Sequence, residues 1–358
     1  MTALVSQARV PLADAGEAIA TLCAHFLDHD IPVDQWPGKG IIAFDVGTGQ
    51  LEAAPDGLTL RAEAGDALGL AVVKFMLASH LQELPSASTA PIVWTGDGCG
   101  EATLPSLREV RVRRVADLTP RMRRVTFHGA DLARYDAHDM HVHLLIPPEG
   151  QPPVWPVPGI DGIPVWPQGE AAPALRSYTL RRIDVAAGEI DIDFALHEDA
   201  GPGASFARRA RPGDVAGLLG PGGRSAGPAD WTLLVGDETA LPAIGRILER
   251  LPAQAEGIAV IEVGDAVDEL PLVHPEGVAL RWLHRGNAPA GSTTLLQDAL
   301  RAIPIPDDRT VFAWSGTEFE TFKALRAHWR KTCKLDRTQH LAVAYWRRGA
   351  AEDAKDDT

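Results

Sequence analysis

The chain has 358 residues, 45% hydrophobic and 23% charged. That is ordinary globular composition and too much chain for one compact core. A net charge of −14 argues against nucleic acid or an anionic membrane as a general partner, and no apolar run approaches a bilayer span. Cys23, Cys99 and Cys333 are far apart and lack CxxC spacing, which excludes a disulfide framework and argues against a zinc or iron–sulfur centre.

The opening MTALVSQARVPLADAGEA lacks the basic-then-apolar pattern of a secretory signal, so a cytoplasmic protein is expected. GEAIATLCAHFLDHD puts Ile19, Leu22, Cys23, Phe26 and Leu27 on one helical stripe. Three short strands follow (GIIAFDV, GQLEAA, GLTLRAE), and a second helix, ALGLAVVKFMLASHLQEL, closes a small α+β domain over residues 1–90. His25 and His29 stand at i, i+4 as a metal pair would, but the pattern offers no third ligand, and no metal site is expected. Residues 91–105 read as a linker, from their Pro, Gly and Thr content.

Residues 106–228 read as six short strands with Gly and Asp punctuation, an antiparallel β-barrel. Seven arginines between Arg108 and Arg124 are read as the solvated faces of two amphipathic strands in preference to an anion-steering surface. A proline-heavy loop, residues 147–175, interrupts the barrel and is either a binding loop or disordered. Residues 229–349 alternate apolar strands with helices, which indicates an α/β open parallel sheet covered on both faces, with its ligand at the carboxyl ends of the strands. The tail, 350–358, is expected to be disordered.

Three motifs carry chemistry. Arg176-Ser177-Tyr178-Thr179 offers a cation, an aromatic face and a small donor on one strand, what a flavin needs, although a half-buried strand with chance polar positions reads the same way. His197-Glu-Asp-Ala-Gly201-Pro-Gly203-Ala204-Ser205 leads into a helix whose bare amides make a phosphate seat, or simply a Ser-capped turn. Gly236-Asp237-Glu238-Thr239-Ala240-Leu241 lies where the first parallel strand meets its helix. There Thr239 and the following amides are the better phosphate contacts, while the two carboxylates accept hydrogen bonds or cap the helix.

RSYT, HEDAGPGAS, ARPGD, LLVGDETALPAI and the closing VFAWSG…LAVAYWRRG resemble, in order and spacing, the siderophore-interacting protein family over residues 108–349, and the N-terminal segment resembles a small domain of unknown function. The resemblance implies FAD bound by the barrel, an NAD(P)H-binding domain after it, and reduction of a ferric siderophore that releases Fe(II). It further implies FAD contacts from Arg176, Ser177, Tyr178, Thr179, His197, Gly203, Ala204, Ser205, Tyr345 and Trp346, with Thr179 positioning flavin N5. Gly236 to Leu241 and the Ser315-Gly316 turn would border the nicotinamide. His143, which replaces a lysine common in the family, would hold the iron complex with Arg347 and Arg348. The sequence departs from the family at Gly203, which looks inserted, at Phe206, and at Thr317, where a glutamate often follows the glycine. A general flavin or ferredoxin-type reductase with another acceptor, or a non-catalytic siderophore-binding module, fits the same motifs. Arg281 and Arg285 are candidates for an NADPH 2′-phosphate.

Overall fold

The structure is a computed structural model that describes residues 2–87, 89–136, 139–197, 201–223 and 225–350. Residues 198–200 of the helix-leading motif and tail residues 351–358 lie outside those described. The chain forms two compact units, residues 1–107 with 154–172, and residues 108–153 with 173–358.

The first unit opens with β1 (Leu4–Val10), α1 (Ala15–Asp28), β2 (Val33–Trp36), β3 (Lys39–Phe44), β4 (Gly47–Ala54), β5 (Gly57–Ala64), α2 (Ala67–Glu83) and β6 (Trp94–Gly96). The strands form one sheet in the order β2-β3-β4-β5-β1-β6. Ile19, Leu22, Cys23 and Phe26 of α1 pack with Leu70, Val73, Leu77 and Leu81 of α2 into one core with the sheet. α2 starts where Asp66 accepts a hydrogen bond from the Gly69 amide at 2.8 Å; such a cap satisfies one of the amides a helix start leaves orphaned. β1 escapes a hydropathy reading because Ser6, Ala8 and Val10, mostly small residues, are its buried side. Within the stretch read as a linker, Trp94 is buried and its strand pairs with β1.

In the second unit β7 (Arg108–Thr119), β8 (Met122–His128) and β9 (His141–Ile146) begin the barrel. After β9 the chain leaves for residues 154–172 of the first unit, where β10 (Val157–Pro158) and β11 (Pro164–Val165) form a short hairpin. The proline-heavy loop is therefore ordered against a core. Trp94 donates its indole N–H to the Asp161 carbonyl at 2.8 Å, and its amide donates to Ile160. Gly162, at φ +86°, lies so close to Lys74 and Trp94 that a Cβ would meet both at 3.1 Å.

β12 (Ala174–Asp184), β13 (Glu189–Ala195), α3 (Pro202–Arg209) and β14 (Val215–Gly222) complete the barrel, closed in the order β12-β13-β8-β7-β14-β9. The arginine-rich strands are largely paired within it. Glu189 accepts from Arg113 and Arg114, Asp193 from Arg124, and Asp191 from Arg182, so buried acids on β13 are matched by cations on neighbouring strands. A buried carboxylate without such a partner would be costly.

β15 (Trp231–Gly236), α4 (Leu241–Arg250), β16 (Glu256–Val263), β17 (Val278–His284), α5 (Leu295–Arg301), β18 (Val311–Glu318), α6 (Phe319–Ala327) and β19 (His340–Trp346) follow. The five strands are parallel, in the order β17-β16-β15-β18-β19. Apolar cores cover both faces, which is why these strands read as continuous hydrophobic runs. The strand order reverses between β15 and β18, and open sheets of this kind bind ligands at such a switch point, outside the carboxyl ends of the strands. α4 holds the barrel to the sheet: buried Arg246 donates to the Leu180 carbonyl at 2.6 Å, and Glu249 pairs with Arg181. Burial, with Arg250 nearby, lowers the Arg246 pKa to about 10.

The Trp94 indole contact predicts that Trp94→Phe costs about 1–2 kcal/mol and frees residues 154–172. Limited proteolysis of the native protein should then cut first in that segment, whereas the parent chain should resist there.

Candidate functional site

The site is assembled from β9 and β12 of the barrel and from the ends of β15, β18 and β19. β9 and β12 pair with Ser177 opposite His143 and Thr179 opposite His141, so these four residues share one face. His143 and Ser177 are exposed, and the Ser177 hydroxyl and His143 Nδ1 are 3.3 Å apart. Thr179 is buried. Above it lies Tyr345, whose hydroxyl is 2.6 Å from His141 Nε2 and also hydrogen-bonds Thr179. Burial raises the Tyr345 pKa, so the phenol stays protonated. Burial, then Arg246, depresses the His141 pKa to about 4, which leaves a neutral imidazole under the phenol.

The opposite face of β12 carries Arg176 and Tyr178. Arg176 is buried, and Tyr178 packs on Phe194 at 4.4 Å between ring centres. The Tyr178 hydroxyl lies against Gly203 at the start of α3, where a Cβ would fall 1.8 Å from it. The residue that looked inserted is thus the one that lets the helix start meet the tyrosine. α3 begins with Pro202 after Gly201, no side chain among the described residues caps it, and its first backbone bond runs from Ser205 to Gly201. The amides of Gly203 and Ala204 precede that bond and are the orphan donors of a helix start. Phe206, in place of a common tryptophan, anchors α3 by stacking on Phe127 at 6.2 Å. These features fit a flavin dinucleotide: a buried cation, an aromatic hydroxyl, and a helix start that no side chain caps among the described residues. His197 is exposed and its carbonyl accepts from Arg208, so the backbone is its part in this cluster.

At the switch point buried Asp237 gathers four donors. Oδ1 accepts from the amide and hydroxyl of Thr239, and Oδ2 accepts from the Glu318 amide and from the Trp346 indole at 2.9 Å. Burial and the adjacent Glu238 push the Asp237 pKa up to about 6 even against these donors. Glu238 makes a two-pronged ion pair with Arg285 that is nearly closed to solvent. Two expectations change here. The Thr239 hydroxyl and amide are both turned inward to Asp237, the Ala240 amide donates to the Asp237 carbonyl, and Arg285 is committed to Glu238. Arg281 is exposed on β17.

Ser315 and Gly316 are strand residues of β18 where a turn was expected, and Ser315 is fully buried. Gly316 lies under the Tyr345 ring, which a Cβ would meet at 2.9 Å. The register of β18 against β19 skips one residue between Thr317 and Glu318, so that Tyr345 bulges out of the ladder. Glu318, one place after the position where a glutamate was sought, is buried and caps α6 through the Glu320 amide. Gly236, at the end of β15, has no room for a side chain, as its Cβ would meet Ala240 at 2.6 Å. Ala240 and Leu241 bring α4 onto the sheet as buried residues. Arg347 and Arg348 are exposed; Arg347 stacks over Phe319 at 4.8 Å, and the Arg348 amide donates to Glu318. His141, Glu318 and the role of Gly203 were missed as site features, although His141 stood in the quoted run HVHL.

A closed antiparallel barrel followed by an open parallel sheet, with a helix start against the barrel tyrosine, is the plan of the ferredoxin-reductase-like flavoproteins. A family model described as a siderophore-interacting FAD-binding domain matches residues 111–225, and one described as siderophore-interacting protein matches residues 229–349. The ferric vibriobactin reductase ViuB of Vibrio cholerae is 35% identical over 237 residues, 64% of this chain and 86% of that protein. The crystal structure of the siderophore-interacting protein SipS from Aeromonas hydrophila is similar at 35% identity and a TM-score of 0.60, over 70% of this chain and 94% of that one. A siderophore utilization protein from T. fusca follows at 36% and 0.59, over 68% and 94%. The chain belongs to the siderophore-interacting protein family. Its residues 7–95 match a model described as an uncharacterized protein conserved in bacteria. Among the described residues no helix is long and apolar enough to cross a membrane.

The buried imidazole gives a pH test. An unfolded His141 takes its proton near pH 6.5 and the folded one only near pH 4, so its contribution is full above pH 6.5 and is lost as the pH falls through that window. His141→Gln should therefore lose less stability than the parent between pH 6.5 and 4.5, by on the order of 1–2 kcal/mol, measured by chemical denaturation at both values.

Proposed function

We propose that this protein is a cytoplasmic flavin-dependent reductase that uses NAD(P)H to reduce ferric siderophores and so releases Fe(II). Family membership supports the siderophore-related, FAD-binding part of this reading, and the similarity to ViuB supports an oxidoreductase. The observation that carries it is the contact of Gly203 with the Tyr178 hydroxyl, which sets the start of α3 against the strand that bears Arg176.

Bound FAD would supply the step from a two-electron hydride donor to one-electron reduction of ferric iron. The chain's residues do the rest. Arg176 and the amides of Gly203 and Ala204, with Ser205 beside them, would hold the pyrophosphate, and Tyr178 and Ser177 would line the cofactor's sugar side. Thr179 presents its hydroxyl to the ring, held in place by Tyr345, which in turn rests on neutral His141. Trp346, pinned by Asp237, closes the nicotinamide side together with Gly236, Glu238, Thr239, Ala240, Leu241 and Gly316. None of these groups needs to act as an acid or a nucleophile. His143, Arg347 and Arg348, all exposed, offer cations or donors to an anionic iron complex. Hard anionic oxygen ligands hold Fe(III) far better than Fe(II), so reduction alone is enough to free the iron.

The test is an anaerobic titration of the flavin-loaded protein with NADH and with NADPH, followed by ferric siderophore. Bleaching by one nucleotide and recovery of the yellow form with Fe(II) appearing is the expected course. Gly203→Val should weaken FAD retention by about tenfold or more, equivalent to ~1.4 kcal/mol, with the fold intact by circular dichroism. A parent protein that cannot be loaded with FAD, or that is not oxidised by any ferric siderophore, would overturn the reading.

A further inference from the structure

The N-terminal unit brings together histidines that the sequence keeps far apart. His25 of α1 and His29, the residue that caps that helix, have ring centres 4.6 Å from each other. α2 packs alongside and presents His80 and Glu83. The His25 and His80 rings are 4.9 Å apart, and one donor atom from each of His25, His80 and Glu83 lies within 4.8 Å of the others.

Two further details favour ligation over packing. The Nε2 of His25 is shut off from solvent and has no hydrogen-bond partner among the described residues. A ring nitrogen placed only for packing would ordinarily find a partner or water. His80 Nδ1 is 2.8 Å from the Met76 carbonyl of the preceding turn, so Nδ1–H donates and Nε2 carries the free lone pair. That carbonyl-oriented tautomer is the usual support of a metal-binding histidine. The helices are fixed by the core beneath, since Phe26 is fully buried and packs on His80 at 4.9 Å.

We propose that His25, His80 and Glu83, joined by His29, bind one divalent first-row transition cation of the zinc class at the junction of α1 and α2. Imidazole nitrogens with one carboxylate suit zinc, cobalt, nickel or ferrous ions and are a poor set for magnesium or calcium, which demand mostly oxygen. Donors at ~2.0–2.1 Å from zinc stand about 3.3 Å apart in a tetrahedron. The present spacing closes to that by side-chain rotation, chiefly of exposed Glu83. His29, exposed at the C-cap of α1, would be the fourth donor. This site does not depend on the flavin reading, and its test involves no turnover.

The experiment uses the full chain without a histidine tag, stripped with a chelator and titrated with Zn²⁺ against a chromophoric competitor. Mg²⁺ serves as the contrasting ion. One Zn²⁺ per chain is expected, with none of the Mg²⁺ taken up, and Zn²⁺ should raise the melting temperature of the stripped protein. His80→Gln and His25→Asn should each weaken Zn²⁺ binding by roughly tenfold to a hundredfold and abolish the melting shift. Their metal-free melting temperatures report whether the unit still folds. His128→Asn, an exposed histidine of the barrel, should leave binding unchanged. A stripped parent that takes up no Zn²⁺, or Zn²⁺ binding of equal strength in both ligand variants when folded, would overturn the proposal.

Discussion

One buried carboxylate organises the switch point. Asp237, at the end of β15, takes hydrogen bonds from its own turn, from the end of β18 and from the indole at the end of β19. Hydrogen bonds to a charged acceptor are stronger than neutral ones, and four of them offset much of the cost of burying the charge. With Arg285 drawing off Glu238, the two adjacent acids do not both lie unmatched. The Trp346 indole is held at this point, and beside it Tyr345 bulges from the ladder to contact Thr179 and His141 on the barrel. Strand β12 of the barrel and the parallel sheet are thereby tied by a short line of polar contacts as well as by the α4 clamp.

The bulge explains an apparent defect in the sequence. The family resemblance puts threonine where a glutamate is customary, and implies a lost contact. In the structure the ladder skips a residue there, and Glu318 arrives at the edge one place later, buried and capping α6. Gly203 is a parallel case. An extra glycine is tolerated because a tyrosine hydroxyl needs the space.

Much of the fold was legible because its signals are local. Apolar runs between turn residues mark the five parallel strands, and RSYT with HVHL marks the pair of strands that carries Arg176, Tyr178, Thr179 and His143. The closed barrel and the open sheet follow from those patterns. What could not be read depends on partners distant in sequence. Asp237 meets Trp346 across 109 residues and His141 meets Tyr345 across 204, and no spacing rule joins them. Likewise His25 was a lone pair member until the fold set His80 beside it. β1 was hidden for a different reason, because serine and alanine form its buried side.

The β9–β12 connection has a bearing on how the molecule could have been put together. Its middle, residues 154–172, is built into the hydrophobic interior of the amino-terminal unit through Ile163 and the Trp94 indole, while both its flanks continue into barrel strands. Polypeptide thus enters that unit, departs, re-enters and departs again. No single cut yields two intact halves, and a shortened chain that begins at the barrel would carry a hairpin stripped of its footing. The two parts are therefore interleaved along the chain, and the amino-terminal unit cannot be excised as one continuous stretch.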